Sequence, residues 1–262
     1  MLPENRRKQI IEILKTKDYA EVSYLSDTFK VSEMTIRRDI DRLESEDLVV
    51  KVYGGVRLKA LNEREWELPI NERLTENYEA KNLVTDLAYE EIQDGDVIAF
   101  DASTTALVLS QKIKFTKKVT VITNNINIAL ELSEDPDIST ILLGGFVRRT
   151  SLSLIGTGIP KYLESLYIDK AFISCKAINA EDGVMDSLMD EGEAKQAIIK
   201  RSKKIYILAD HSKIATTAFF KICQPTSIDY LITDELVNTD SAKQQCLQQY
   251  IDLGVDVQIA KE

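Results

Sequence analysis

Apolar residues along this chain follow two rhythms. In the first 45 positions they recur every three or four residues. Ile10, Ile13 and Leu14 predict a helix beginning near Glu4, Val22, Leu25 and Phe29 a second over 23–29, and Ile36, Ile40 and Leu43 a third. Ser32, after a break at Lys30 and Val31, is a good N-cap for the third. Two β-rich runs then flank Gly54-Gly55 within LVVKVYGGVRL (48–58), which predicts a hairpin. Three helices followed by a hairpin make a winged helix-turn-helix. Beyond residue 80 the apolar residues come instead as short continuous runs. Strands are expected over 97–100, 119–123, 138–143, 170–174, 205–209, 230–232 and near 255–259, and helices over 80–92, 105–112, 126–132 and 191–201. Short apolar strands alternating with helices argue for a mostly parallel sheet covered on both faces. The polar stretch between, ALNEREWELPINERLTENYEA, has only Trp66 and Pro69 as anchors and reads as a linker with some helical character. The expected organisation is a small DNA-binding domain over 1–59, a linker over 60–80, and an α/β domain over 81–262.

Composition narrows the function without deciding it. The 262 residues are 44% hydrophobic and 29% charged, as in a globular protein. The N-terminus, MLPENRRKQIIEIL, has no signal-peptide core and no apolar run reaches membrane-spanning length, so a cytoplasmic protein with no membrane partner is expected. Three scattered cysteines and a single histidine, His211, argue against a disulfide framework or a metal site, and no cofactor is expected. The formal net charge of -10 is unevenly spread. Residues 1–60 carry 12 Lys/Arg against 11 Asp/Glu, the remaining 202 carry 21 against 32. The two parts face different surroundings.

The third helix suggests what the first part faces. With Ile36, Ile40 and Leu43 inward, Met34, Thr35, Arg37 and Arg38 stand on the outward side near its start. Basic and hydroxyl side chains opening the second helix of a helix-turn-helix are the outline of a major-groove reader. The plainer alternative pairs the arginines with Glu33 or Asp41 on a solvated face. Lys51, Tyr53, Arg57 and Lys59 decorate the hairpin, in a wing's position for the DNA backbone or minor groove. Arg6, Arg7 and Lys8 open the first helix, where the helix dipole disfavours cations, so an external anion or solvent is expected there. From Arg6 to Val56 the sequence resembles the DNA-binding domain of the DeoR family of bacterial transcriptional regulators. The resemblance rests on VSEMTIRRDIDRLESEDLVVKVYGG, set against a family pattern of VS-x-x-TIRRD-[LI]-x-x-L followed by a GG wing. It implies DNA contacts from Ser32, Met34, Thr35, Arg37, Arg38, Lys51, Tyr53, Gly54 and Gly55.

In the second part, polar and small residues collect where the predicted strands end. They are Asp101, Ser103, Thr104 and Thr105 in VIAFDASTTALVL, Thr123, Asn124 and Asn125 in VTVITNNINIAL, Gly144 and Gly145 with Arg148 and Arg149 in TILLGGFVRR, and Asp210, Ser212 and Lys213 in IYILADHSKI. Ligands of open parallel sheets bind beyond such ends, and hydroxyls at a helix start cradle anions. The plain reading of Ser103 or Thr104 is an N-cap, and of Lys195 a surface lysine paired with Glu191 or Glu193. The DeoR resemblance extends from Lys81 to Thr233. It implies an effector domain with a fold related to ribose-5-phosphate isomerase, release from DNA by a phosphorylated sugar or related metabolite, and effector contacts from Asp101, Ser103, Thr104, Thr105, Asn124, Gly144, Gly145, Lys195, Asp210 and Lys213. Two departures stand out. Ser103 replaces the glycine of D-x-G-T-T, which predicts a reshaped loop or a new hydroxyl ligand, and Ser174-Cys175-Lys176-Ala177 fills a segment that is small and glycine-rich in the family. The expected function is a sequence-specific regulator, a repressor of a carbohydrate operon, that binds double-stranded operator DNA as a homodimer or homotetramer. The alternatives are a regulator whose second domain only oligomerises or answers a protein partner, and an isomerase-like enzyme.

Overall fold

The computed structural model describes residues 3–17, 19–45, 48–52, 54–58 and 70–261. The chain divides into two compact units, Met1–Trp66 and Glu67–Glu262.

In the first unit, α1 (Pro3–Lys17), α2 (Val22–Phe29) and α3 (Glu33–Ser45) pack around Ile10, Leu14, Leu25, Ile36, Ile40 and Leu43, each at most 3% exposed. Helix α2 ends at Lys30 in the left-handed conformation (φ 51°). Ser32 then opens α3 by accepting the Thr35 N–H at 3.3 Å. The hairpin of β2 (Val49–Val52) and β3 (Gly55–Leu58) gains a third strand, β1 (Tyr19–Glu21), paired to β3. Three residues carry too little periodicity to announce that strand. Val52 lies opposite Gly55, so Gly55 is the first residue of β3 and the turn lies before it.

The second unit is built on a seven-stranded, wholly parallel sheet. Its strands are β4 (Val97–Phe100), β5 (Thr120–Thr123), β6 (Ser139–Leu142), β9 (Ile168–Ser174), β12 (Ser202–Leu208), β14 (Tyr230–Asp234) and β15 (Asp256–Ala260), in the order β15-β14-β12-β9-β4-β5-β6. The short strands β7 (Phe146–Arg148) and β8 (Ser153–Ile155) form a hairpin, and β10 (Ala177–Asn179), β11 (Gly183–Asp186) and β13 (Phe220–Cys223) a small antiparallel sheet. Side chains alternate through the continuous apolar runs. Ile98, Phe100, Phe172, Tyr206 and Leu208 face one layer with α5 (Tyr78–Glu90), α6 (Thr104–Ile113) and α7 (Ile126–Leu132). Ala99, Ala171, Ile173, Ile205 and Ile207 face the other, with α8 (Gly158–Leu163), α9 (Met189–Lys200) and α10 (Ser241–Asp252). On the first face Phe100, Phe172, Tyr206 and Tyr230 form an aromatic row across four adjacent strands, with neighbouring centroids 6.0, 4.8 and 4.3 Å apart.

Part of the stretch read as a linker is folded. Helix α4 (Ile70–Thr75) and the start of α5 occupy it, Ile70 is buried, and its N–H reaches the Thr150 carbonyl at 3.1 Å. Trp66 lies outside the described residues. Strand order reverses between β4 and β9, because chain order runs outward from β4 through β5 and β6 and then resumes on its other side. A crevice beyond the carboxyl ends of β4 and β9 is therefore the place for a ligand.

Candidate functional site

In the first unit, α3 presents an open basic face. Met34 is 65% exposed, Arg37 and Arg38 are both exposed, and Thr35 shares its hydroxyl with Ser32 at 2.9 Å. Arg37 meets Glu33 at 3.4 Å in an exposed i,i+4 pair, which restrains it weakly. Arg38 makes no ion pair with any described residue.

Several expectations for this unit are corrected. Lys51, still exposed, lies beside the acids at the far end of α3, 2.8 Å from Asp41 and 2.5 Å from Glu44. Its hydrogen bonds to those carboxylates push its pKa up. Gly55 is buried: a Cβ there would run into the Tyr19 ring and lie 2.5 Å from the Ala20 carbonyl. Glycine there allows β1 and β3 to pack closely. Gly54 is exposed and left-handed (φ 77°), as a tight turn requires. Arg57 is 2% exposed, with its guanidinium 5.2 Å from the centre of the Tyr19 ring. Arg6, expected to face solvent or an outside anion, is buried against Asp39. Tyr53 and Lys59 lie outside the described residues.

In the second unit the residues that follow β4, β9 and β12 are linked directly. Asp101, fully buried after β4, accepts the Ser103 hydroxyl at 2.6 Å and the Ser174 N–H at 3.2 Å, and lies 3.1 Å from Lys195 Nζ. Lys195 also donates to Asp186 at 2.6 Å and to the Ser174 carbonyl at 2.9 Å. Burial alone would lower the lysine's pKa, but Asp186 and Asp101 outweigh it and push it up, so the ammonium stays charged. The reading of Lys195 as a surface lysine paired with Glu191 or Glu193 is thus corrected. It is 7% exposed, not a surface lysine, and its three donors are engaged by Asp186, Asp101 and the Ser174 carbonyl. Asp186, at the end of a four-residue strand, had no sequence signal.

Lys213 is the accessible cation. It donates to Ser174 Oγ at 2.9 Å and sits 3.3 Å from Asp210, with a side chain 16% exposed. Burial alone would raise Asp210, but Lys213 and the Ser212 donors outweigh it and hold its pKa at about 2. Ser103 answers its own question. At φ −94° it is unstrained, it accepts the Ala106 N–H at 3.0 Å as the N-cap of α6, and its hydroxyl hydrogen goes to Asp101. Its hydroxyl is thus engaged within the protein, as cap and as donor. Ser174 and Cys175 are buried and Ser174 is a hub of the site, while Lys176 is exposed.

On the neighbouring side, Glu191 is 5% exposed, receives the hydroxyls of Ser151 at 3.0 Å and of Ser153, and lies 3.5 Å from Arg148. Glu191 and Lys195 are one turn apart on α9, which joins the two halves of the crevice. Gly144 has open space around it, whereas a Cβ on Gly145 would collide with the Ile155 carbonyl. Asn124 donates to the Leu154 carbonyl at 3.0 Å, but its Oδ1 and Thr105 Oγ1, on residues each 1% exposed, have no protein partner. Thr104, 6% exposed, stands in the same first turn of α6 as Thr105. Among the described residues these two unpartnered atoms, Asn124 Oδ1 and Thr105 Oγ1, lie beyond the carboxyl ends of β5 and β4, beside the crevice.

An elbow between α4 and α5 adjoins this site. Asn77, left-handed at φ 49°, donates to Asp210 Oδ1 and to Ser212 Oγ, each at 3.2 Å. Lys81, 4% exposed, donates to the carbonyls of Arg73 at 2.5 Å and Glu76 at 2.6 Å. Burial, with Lys213 nearby, pulls its pKa down to about 8. Among the described residues no group of side chains is arranged to hold a metal ion, and no helix is long and apolar enough to cross a membrane.

A winged helix-turn-helix with an open arginine face, joined to an α/β unit with a polar crevice at its switch point, defines a ligand-responsive transcription factor. Comparison with known proteins agrees. Residues 6–60 match the family model for the DeoR-like helix-turn-helix domain, and residues 76–235 that for the DeoR C terminal sensor domain. The chain belongs to the DeoR family of transcriptional regulators. It is 34% identical over 261 residues to the HTH-type transcriptional regulator GolR of Listeria innocua, covering 100% of both chains. It is 26% identical to the glycerol-3-phosphate regulon repressor of Escherichia coli, over 89% of this chain and 92% of that one. A solved ribose 5-phosphate isomerase A from Methanocaldococcus jannaschii matches 52% of this chain and 54% of its own at 15% identity and a TM-score of 0.40, too distant to carry an argument. The protein is a sequence-specific DNA-binding regulator and not an enzyme.

Proposed function

We propose that this regulator is a cytoplasmic repressor of a carbohydrate-metabolism operon, released from its operator by a phosphorylated sugar or related metabolite bound in the switch-point crevice. The observation that carries the reading is that Lys213, a partly exposed cation, follows β12 while Thr105 Oγ1 and Asn124 Oδ1, buried and without a hydrogen-bond partner among the described residues, follow β4 and β5 at the same end of the sheet. Lys213 and the N-terminus of α6 suit a phosphate, and acceptors and carboxylates such as Asn124, Asp210 and Glu191 suit sugar hydroxyls. The printed name of the glycerol-3-phosphate regulon repressor points the same way. Occupancy would reach the DNA-binding unit through the α4–α5 elbow. That elbow is tied to the site by Asn77 and Thr150 and is the first described element after the segment joining the two units. Two copies of the regulator on repeated half-sites would supply the affinity one small module lacks.

The test is calorimetric titration of the full chain with a panel of three- to six-carbon sugar phosphates and their unphosphorylated counterparts. One phosphorylated compound should bind, its parent sugar should not, and Lys213→Met should weaken binding at least tenfold. Failure of the whole panel would favour a second unit that answers a protein partner or only oligomerises.

A further inference from the structure

The acid in TIRRD takes no part in the DNA face. Asp39 stands three residues after Ile36 and four before Leu43, on the side of α3 that faces the core, and is 4% exposed. Its Oδ2 receives the Nε–H of Arg6, itself 5% exposed in the first turns of α1, and Arg7 Nη1 lies 3.8 Å from Oδ1. Ile36, Ile40 and Leu43 keep α3 from lifting off the core, but a smooth apolar stripe resists rotation about the helix axis poorly. A guanidinium–carboxylate bond has direction. It adds little net stability once the desolvation of both charges is counted, so its contribution is to orientation. Arg38 is the next residue in the chain, about 100° round the helix from Asp39. A rotation of about 10° carries a tip at the helix's roughly 5–6 Å radius through about 1 Å, enough to spoil a two-bond contact with a base edge.

We propose that Asp39 and Arg6 are a positioning pair that fixes the rotation of the recognition helix and thereby the sequence discrimination of the regulator. The test uses the full chain and a duplex that the wild-type chain has selected from a random-sequence pool, with a scrambled duplex as the non-specific reference. In the double variant Arg6→Met, Asp39→Leu, apolar packing replaces the buried pair, so the melting temperature should hold or rise. Non-specific affinity and its salt slope should stay as they were, because the phosphate contacts remain. Preference for the selected duplex over the scrambled one should fall at least tenfold. A purely structural role predicts full preference in this folded variant, and that result overturns the proposal. If the double variant does not fold, Arg6→Lys carries the same test, since it keeps the charge and loses the guanidinium's fixed geometry. A several-fold loss of preference at unchanged melting temperature supports the pair, and unchanged preference overturns it.

Discussion

Arg38 and Lys195 show how far a side chain's type falls short of its role. Both are cations in helices, yet one is exposed without an ionic partner among the described residues and the other is locked between two carboxylates. Arg38→Ala should therefore leave the melting temperature within about a degree while weakening DNA binding at least tenfold, measured by thermal melting and anisotropy. Lys195→Met should do the reverse of what a ligand residue does. Stranding Asp101 and Asp186 in the interior should cost about 3–5 kcal/mol in urea denaturation, well beyond any effect of Lys213→Met. The elements that carry both candidate sites were legible from the TIRRD motif and the strand ends. The partners that define their roles were not. Asp186 ends a strand too short to show a period. Asp39 was legible in principle, because the same spacing that marks Ile36 and Leu43 as buried places it beside them.

At the scale of elements, all seven strands of the parallel sheet and the four helices first expected beside them are visible in the sequence, since strands buried on both faces must be continuous apolar runs. The short strands β1, β7, β8, β10, β11 and β13 are not, because none is at once a continuous apolar run and flanked by a turn or helix signal that would mark it off from a loop. The helical character expected within residues 60–80 is present as α4 and the start of α5, held by contacts that polarity alone does not announce. Gly55→Ala should loosen the wing, since the added methyl meets the Tyr19 ring and the Ala20 carbonyl. A loss of about 1–3 kcal/mol is expected in denaturation of the full chain. Asn77→Gly keeps the left-handed backbone and removes the bonds to Asp210 and Ser212. Ligand binding by calorimetry and DNA binding by anisotropy should each survive, while the ligand's power to release DNA falls several-fold.

For the whole molecule, burial gives one clear link between protons and stability. Lys81 titrates near 8 in the folded chain against an ordinary 10.5. Between those values the unfolded chain keeps a proton that the folded chain has released, so this residue's contribution to stability rises with pH across that window. Its full cost applies below about 8. Relative to Lys81→Met, the wild type should gain about 3 kcal/mol between roughly pH 7.5 and 10.5 in urea denaturation. The central claim is larger: occupancy of the crevice lowers affinity for DNA. The direct measurement is an anisotropy titration of a duplex selected by the full chain, at fixed salt, with and without a saturating amount of the sugar phosphate that binds in calorimetry. The account predicts at least a tenfold loss of affinity, which requires about 1.4 kcal/mol of differential binding between the two states. Equal affinity with the crevice filled would contradict it.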